Sequence, residues 1–106
     1  MLLEEDPPPT AVFCANDGTA LGALRALSSR PRSLPPISVI SCDDIAGAAE
    51  ARPSLTTIHL AKEEMAHHAV GLLLDRIRGG HKSVARIEVE GRLVIRESCF
   101  AVGGEG

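Results

Sequence analysis

The sequence is poor in aromatic residues and has no excess of positive charge. It contains two phenylalanines, no tryptophan and no tyrosine, and its formal net charge is −3. Such a composition offers no aromatic platform on which nucleobases or sugar rings could stack, and no basic patch that would hold nucleic acid. We therefore expect an aliphatic core and no direct binding of DNA or RNA by this chain.

Long apolar runs and paired cysteine motifs are also missing. No stretch reaches the roughly 20 apolar residues of a membrane-spanning helix, and the acidic, proline-rich start MLLEEDPPP does not have the pattern of a secretory signal. Cys14, Cys42 and Cys99 are widely spaced, without a metal-ligand pattern. We expect reduced, mostly buried thiols in a cytoplasmic protein, with no metal site and no cofactor.

Apolar periodicity divides the 106 residues into alternating strands and helices. Apolar and β-branched runs predict strands at 11–14, 37–42 and 55–59, with strand-like pieces at 85–89 and 92–96. Apolar residues at helical spacing predict helices at about 17–29, 44–51 and 61–78. This alternation is typical of one small α/β domain, a partial Rossmann-like, mainly parallel sheet flanked by helices.

Polar side chains follow the first two predicted strands, Asn16 and Asp17 after one and Asp43 and Asp44 after the other. Ligands bind beyond the carboxyl ends of the strands in open parallel sheets. If the two strands are neighbours, Asn16 and Asp43 can hold one small polar ligand, because an amide donates and accepts while a carboxylate accepts from adjacent hydroxyls. Asp17 and Asp44 directly precede helical residues and are predicted to be helix N-caps. For Asn16 and Asp43 the capping and the binding roles both remain open.

Four segments of the chain resemble LacI/GalR-family transcriptional regulators, in the same order and spacing. They are PTAVFCANDGTALGALRAL, ISVISCDDI, LTTIHLAKEEMAHHAVGLLLDRI and LVIRESC, which together cover residues 9–100. The resemblance implies a fold like that of sugar-binding periplasmic proteins, with an effector held between two Rossmann-like lobes. The chain matches roughly the last third of such a regulator, and the DNA-binding part is absent from it.

The resemblance also implies a division of the chain and two site residues. Residues 9–58 and 83–100 would belong to the C-terminal lobe, and residues 60–80 would be a helix contributed to the N-terminal lobe. Asn16 and Asp43 would contact the effector, a sugar or a related small polar molecule. The sequence departs from the family pattern at Leu60, where many members carry a glutamine that also touches the effector.

The function implied by the resemblance is effector sensing and dimerisation within a transcriptional repressor, which would reach operator DNA only through a domain absent here. The homodimer contacts would lie on the helix at 17–29 and on residues 44–52. Half a domain would also leave an apolar stripe exposed between Met65 and Ile77. We expect no enzyme, although two alternatives stay open: a lobe of a periplasmic sugar-binding protein, and a small hydrolase that uses Cys42 or Asp43.

Overall fold

The computed structural model of the protein describes residues 2–80 and 84–102. In these ranges a short 3-10 helix at Leu2–Glu4 precedes four strands and three α-helices. The strands are β1 (Ala11–Phe13), β2 (Ser38–Asp43), β3 (Thr56–His59) and β4 (Arg92–Val94). The helices are α1 (Asp17–Leu27), α2 (Ala46–Glu50) and α3 (Lys62–Ile77). The predicted alternation of strands and helices is confirmed.

The strands form one sheet in the order β1-β2-β3-β4. Strands β1, β2 and β3 run parallel, and β4 pairs with β3 in the antiparallel direction. Phe13 lies opposite Ile40, and Asp43 lies opposite His59. The first two strands are therefore neighbours, which meets the condition for a site that uses both Asn16 and Asp43, and the carboxyl ends of the three parallel strands lie at one edge of the sheet. We call this edge the carboxyl edge.

The chain divides into two compact units, which we call the sheet unit (Met1–His59 with Arg92–Gly106) and the helix unit (Leu60–Gly91). The core of the sheet unit lies between one face of the sheet and helices α1 and α2. Val39, Leu55 and Ala48 are fully buried there, and Leu24 is 8% exposed. Strand alternation places Phe13 on the opposite face, where its side chain is 63% exposed.

Helix α3 dominates the helix unit and has no buried residue. Met65, Val70, Leu73 and Ile77 are 45%, 57%, 58% and 71% exposed. The expected exposure of this apolar stripe is confirmed. No helix within the described ranges is long and apolar enough to cross a membrane.

Two predicted elements need correction. Residues 84–90 form no strand, because this segment lies outside the sheet; Arg86 and Glu88 form an exposed ion pair there at 3.1 Å. Helix α1 ends two residues early, where the Ser28 hydroxyl donates to the Arg25 carbonyl at 2.6 Å.

The cysteines are free but not mostly buried, which corrects a third expectation. Cys14 is buried, Cys42 is half-buried and Cys99 is exposed. Burial raises the pKa of the Cys14 thiol, which favours its neutral form. Cys99 follows β4, and although it is exposed, its thiol lies 3.6 Å from the Val39 carbonyl of β2.

Candidate functional site

Asp17, the first residue of α1, is fully buried against the sheet. Its Oδ1 accepts hydrogen bonds from the hydroxyls of Ser41 at 2.5 Å and Thr57 at 2.6 Å. Its Oδ2 accepts from the backbone N–H of Ile45 at 2.9 Å. The prediction that Asp17 caps α1 is therefore wrong, because its carboxylate joins α1 to β2, to β3 and to the loop before α2.

The charge of Asp17 is maintained by these hydrogen bonds. Burial by itself raises the pKa of the Asp17 carboxyl, but the hydrogen bonds from Ser41, Thr57 and the backbone outweigh burial and hold the pKa below its ordinary value. The group is ionised at neutral pH and serves as a fixed acceptor for three donors. Asp17 thus stabilises the carboxyl edge and is not available to a ligand.

Asn16 is the actual N-cap of α1. Its backbone is extended, and its Oδ1 accepts a hydrogen bond from the Thr19 N–H at 2.8 Å. The side chain is exposed, and its NH2 group has no hydrogen-bond partner among the residues that the structure describes. The helix therefore occupies the oxygen of Asn16, while two N–H donors stay available at the carboxyl edge.

Asp43 ends β2 in an unusual backbone conformation. Its φ is 145°, and the φ of Asp44 is 63°. Two consecutive non-glycine residues with positive φ are strained, and such strain concentrates at functional sites. The Asp43 side chain is half-buried and has no hydrogen-bond or ion-pair partner within residues 2–80 and 84–102. The structure thus places an unpaired carboxylate at the carboxyl edge, in the strand next to the one that leads to Asn16.

Asp44 does not cap α2, contrary to the prediction. The N-cap position belongs to Ile45, which makes no side-chain cap bond. Asp44 Oδ1 accepts from Arg96 Nη2 at 2.8 Å, and Asp44 Oδ2 lies 2.9 Å from His59 Nδ1. Burial raises the pKa of Asp44, but the hydrogen bonds from Arg96 and His59, together with the charge of Arg96, lower it further than burial raises it.

The segment 96–100 was missed as a structural element by sequence reasoning. The Ser98 hydroxyl donates to the Val39 carbonyl at 2.6 Å and accepts from the Thr56 N–H at 2.8 Å, while the Val39 N–H donates to the Ser98 carbonyl at 2.9 Å. Glu97 accepts from the Ser54 N–H at 3.0 Å and the Ser54 hydroxyl at 2.9 Å. The segment therefore joins β2 to β3 through hydrogen bonds. In the sequence, only its resemblance motif LVIRESC pointed to this segment.

A hollow of about 410 Å³ lies elsewhere in the sheet unit. It is lined mainly by apolar residues near the amino end of β2, among them Leu24, Leu34, Ile37 and Phe100. Asn16 and Asp43 are not part of its lining. The hollow therefore belongs to the other end of the strands and not to the carboxyl edge.

Neither a metal centre nor a thiol–imidazole pair is visible in the described ranges. No group of three or more His, Cys, Asp or Glu side chains there is placed to hold a metal ion. Cys42 lies opposite Ile58 in the sheet, so strand alternation directs Cys42 and His59 to different faces. A thiol nucleophile needs its base within hydrogen-bond reach, whereas the imidazole of His59 contacts Asp44 instead.

Comparison with known proteins identifies one family. The periplasmic binding protein-like domain family matches residues 1–99. The HTH-type transcriptional repressor PurR of Pasteurella multocida (strain Pm70) is 43% identical over 98 residues, which are 92% of this chain and 29% of the repressor.

Solved structures of regulators have the same fold as the chain. The transcriptional regulator CelR in complex with cellobiose is 34% identical with a TM-score of 0.78, over 92% of this chain and 30% of CelR. The lac repressor dimer bound to operator and the anti-inducer ONPF is 32% identical with a TM-score of 0.77, over 94% of this chain and 35% of the repressor chain. The chain therefore spans about a third of the length of these relatives, from 29% to 35%.

Proposed function

Since the chain belongs to the periplasmic binding protein-like domain family, we propose that it is the C-terminal part of the effector-binding domain of a LacI-type regulator and that it senses a small polar effector without chemical conversion. The observation that carries this proposal is the arrangement at the carboxyl edge. Among the residues that the structure describes, nothing bonds the two N–H donors of Asn16 at the end of the β1 segment or the carboxylate of Asp43 at the end of the adjacent β2.

These two groups suit a neutral sugar or a related polyol. A carboxylate accepts from two adjacent hydroxyls, and the Asn16 amide donates to a hydroxyl or ring oxygen. A hydrogen bond to a charged group contributes about 1.5–3 kcal/mol. The complex of the related CelR contains cellobiose, so this disaccharide is the first probe for the chain.

The separation of α3 from the sheet unit supports an assignment to two lobes, although residues 84–91 fall in the helix unit. We assign residues 9–58 and 83–100 to the C-terminal lobe, and residues 60–80 to a helix contributed to the N-terminal lobe. The exposed apolar side of α3 supports this, since a helix with such a stripe is stable when another surface covers it. The effector would then bind at the carboxyl edge and shift the balance between two conformations of the whole regulator.

We further propose that the whole regulator is a cytoplasmic repressor that dimerises and binds operator DNA through a domain outside this chain. The related lac repressor was solved as a dimer bound to operator, and this supports the same partners here. The homodimer contacts are assigned to the helix predicted at 17–29 and to residues 44–52.

Light scattering of the chain tests the assignment of the dimer contacts. The charge-reversed variant Arg25→Glu should lower the dimer fraction, whereas Arg86→Glu, outside these segments, should not.

The binding proposal is tested by NMR titration of the 15N-labelled chain with cellobiose. Because one lobe supplies only part of the site, we expect millimolar affinity, with the largest amide shifts at Asn16, Asp43 and Ile45. Asp43→Ala should abolish these shifts. Asp75→Ala is the matched control, since it removes an exposed carboxylate on α3 and should leave the titration unchanged.

Three outcomes would contradict the proposal: shifts confined to other residues, shifts that survive Asp43→Ala, or no response to cellobiose and to other neutral mono- and disaccharides. The two alternatives predict different results. A helix-turn-helix reading frame upstream of Met1 distinguishes a regulator from a periplasmic binding protein. A hydrolase would cleave generic esters and lose that activity in Cys42→Ala or Asp43→Ala.

A further inference from the structure

His59 is the last residue of β3 and lies in register beside Asp43. Its side chain is 44% exposed at the carboxyl edge. The imidazole is nevertheless held in place, since its Nδ1 lies 2.9 Å from Asp44 Oδ2. The ring is therefore both fixed and accessible, a combination that a surface histidine without a partner lacks.

The contact with Asp44 determines which nitrogen of His59 carries the proton. An ionised carboxylate can only accept hydrogen bonds, so Nδ1 must be the donor. In the neutral ring Nε2 is then unprotonated and is a hydrogen-bond acceptor. Nε2 has no hydrogen-bond partner in the part of the chain that the structure describes.

Arg96 holds the Asp44 carboxylate in place, and this carboxylate in turn orients the His59 ring. Its Nη2 donates to Asp44 Oδ1 at 2.8 Å, and its Nη1 donates to the Leu55 carbonyl at 2.9 Å. The Arg96 side chain is 18% exposed and that of Asp44 14% exposed. Such a largely buried, charge-assisted pair has little freedom to rotate, so the acceptor direction of His59 is set by the fold.

We propose that His59 is a third effector-contacting residue, whose Nε2 accepts a hydrogen bond from a hydroxyl or N–H group of the effector. This inference rests on the proposed binding function of the same edge. Two acceptors, Asp43 and His59, would then face the donors of Asn16. The effector class is therefore a compound with at least two donor groups of its own, such as a polyol or an amino sugar.

The first test needs no ligand. Long-range 1H–15N NMR spectra at a pH where the rings are neutral should show His59 as the Nδ1–H tautomer. His67, exposed on α3 and without a hydrogen-bond partner in the described ranges, is the control in the same spectrum and should show mainly the Nε2–H tautomer. Asp44→Asn should shift His59 toward the behaviour of His67. An Nε2–H tautomer at His59 in the wild-type chain would overturn the proposal whatever the effector is.

The second test measures cellobiose binding to variants by the same titration. His59→Leu should raise the dissociation constant by about threefold to tenfold, the effect of one lost neutral hydrogen bond. His59→Gln, which keeps a side-chain acceptor, should recover part of the loss, and His67→Leu should have no effect. Well-dispersed amide spectra establish that each variant is folded.

The possible failures are distinguishable. A wild-type titration at the carboxyl edge that survives His59→Leu unchanged would overturn the contact and leave the proposed function intact. No wild-type response at this edge to any neutral sugar would overturn the proposed function and the contact together. A weakening equal in His59→Leu and His67→Leu would show a general effect on the fold and would also overturn the contact.

Discussion

Helices α1 and α3 have similar apolar patterns but different environments. Helix α1 has 11 residues, and Asp17, Ala20 and Leu24 are buried against the sheet. Helix α3 has 16 residues, none of which is buried. The longer helix therefore contributes no buried residue to the core. Helical periodicity specifies which side chains share a face, whereas burial depends on whether another element covers that face.

This contrast is most directly tested by one substitution in each helix. Leu24→Ala should lower the free energy of unfolding by about 2–5 kcal/mol, because it leaves a cavity in a packed core. Leu73→Ala removes the same atoms from a side chain that is 58% exposed and should change the stability by no more than about 0.5 kcal/mol. Urea unfolding measures both. Similar losses for the two variants would mean that α3 is covered in solution.

A second pair compares two aspartates. Asp17→Ala should cost about 2–3 kcal/mol, because it leaves the buried donors of Ser41 and Thr57 without their acceptor. Asp75→Ala, at an exposed position on α3, should be nearly neutral. Thermal unfolding followed by circular dichroism compares them. A neutral Asp17→Ala would show that the carboxylate does not join α1 to the sheet.

The third comparison is between a buried serine, Ser98, and an exposed serine, Ser29. Ser98→Ala should cost about 1–2 kcal/mol, since the hydroxyl links the Val39 carbonyl to the Thr56 N–H in a buried position. Ser29→Ala, at an exposed residue after α1, is the control. Amide hydrogen exchange offers a local measurement: protection of Thr56 should drop in Ser98→Ala and stay unchanged in Ser29→Ala.

The smallest expected effect is the acid sensitivity of the sheet unit. The pKa values of Asp17 and Asp44 are lowered in the folded chain, below an unfolded value near 3.9. Above about pH 5 both states are almost fully ionised and the stabilisation is fully present. As the pH falls, the unfolded chain binds protons first, so stability declines until the pH passes the folded pKa values. Urea midpoints measured against pH should therefore fall in acid, and less steeply in Asp17→Asn.

Periodicity and composition were sufficient to predict the main elements of the fold. The apolar run before Asn16 and the one before Asp43 became adjacent parallel strands, because a connection through a helix favours that arrangement. The prediction of a strand at 85–89 was wrong. It relied on the local alternation of apolar and charged residues, whereas a strand also needs a neighbouring strand with which to pair.

The roles of the aspartates were not predictable from local rules. The capping rule considers the next three residues, but Asp17 bonds partners 24 and 40 positions away and Asp44 bonds Arg96, 52 positions away. A sequence contains no direct record of such distant pairs. The rule was nonetheless informative at Asn16, where the cap uses the oxygen and leaves the amide donors for a ligand.

The hydrogen bonds of Ser98 also determine when the sheet can complete its hydrogen bonding during synthesis of the chain. Val39 and Ser98 are 59 positions apart, so the interior strand β2 acquires its last hydrogen-bond partners only after Ser98 has left the ribosome. Until then β2 exposes polar backbone groups that a chaperone or another nascent chain could bind. A premature stop codon before Arg96 would therefore leave a product that is vulnerable to proteases, although β1 to β4 and α1 to α3 would already have been translated.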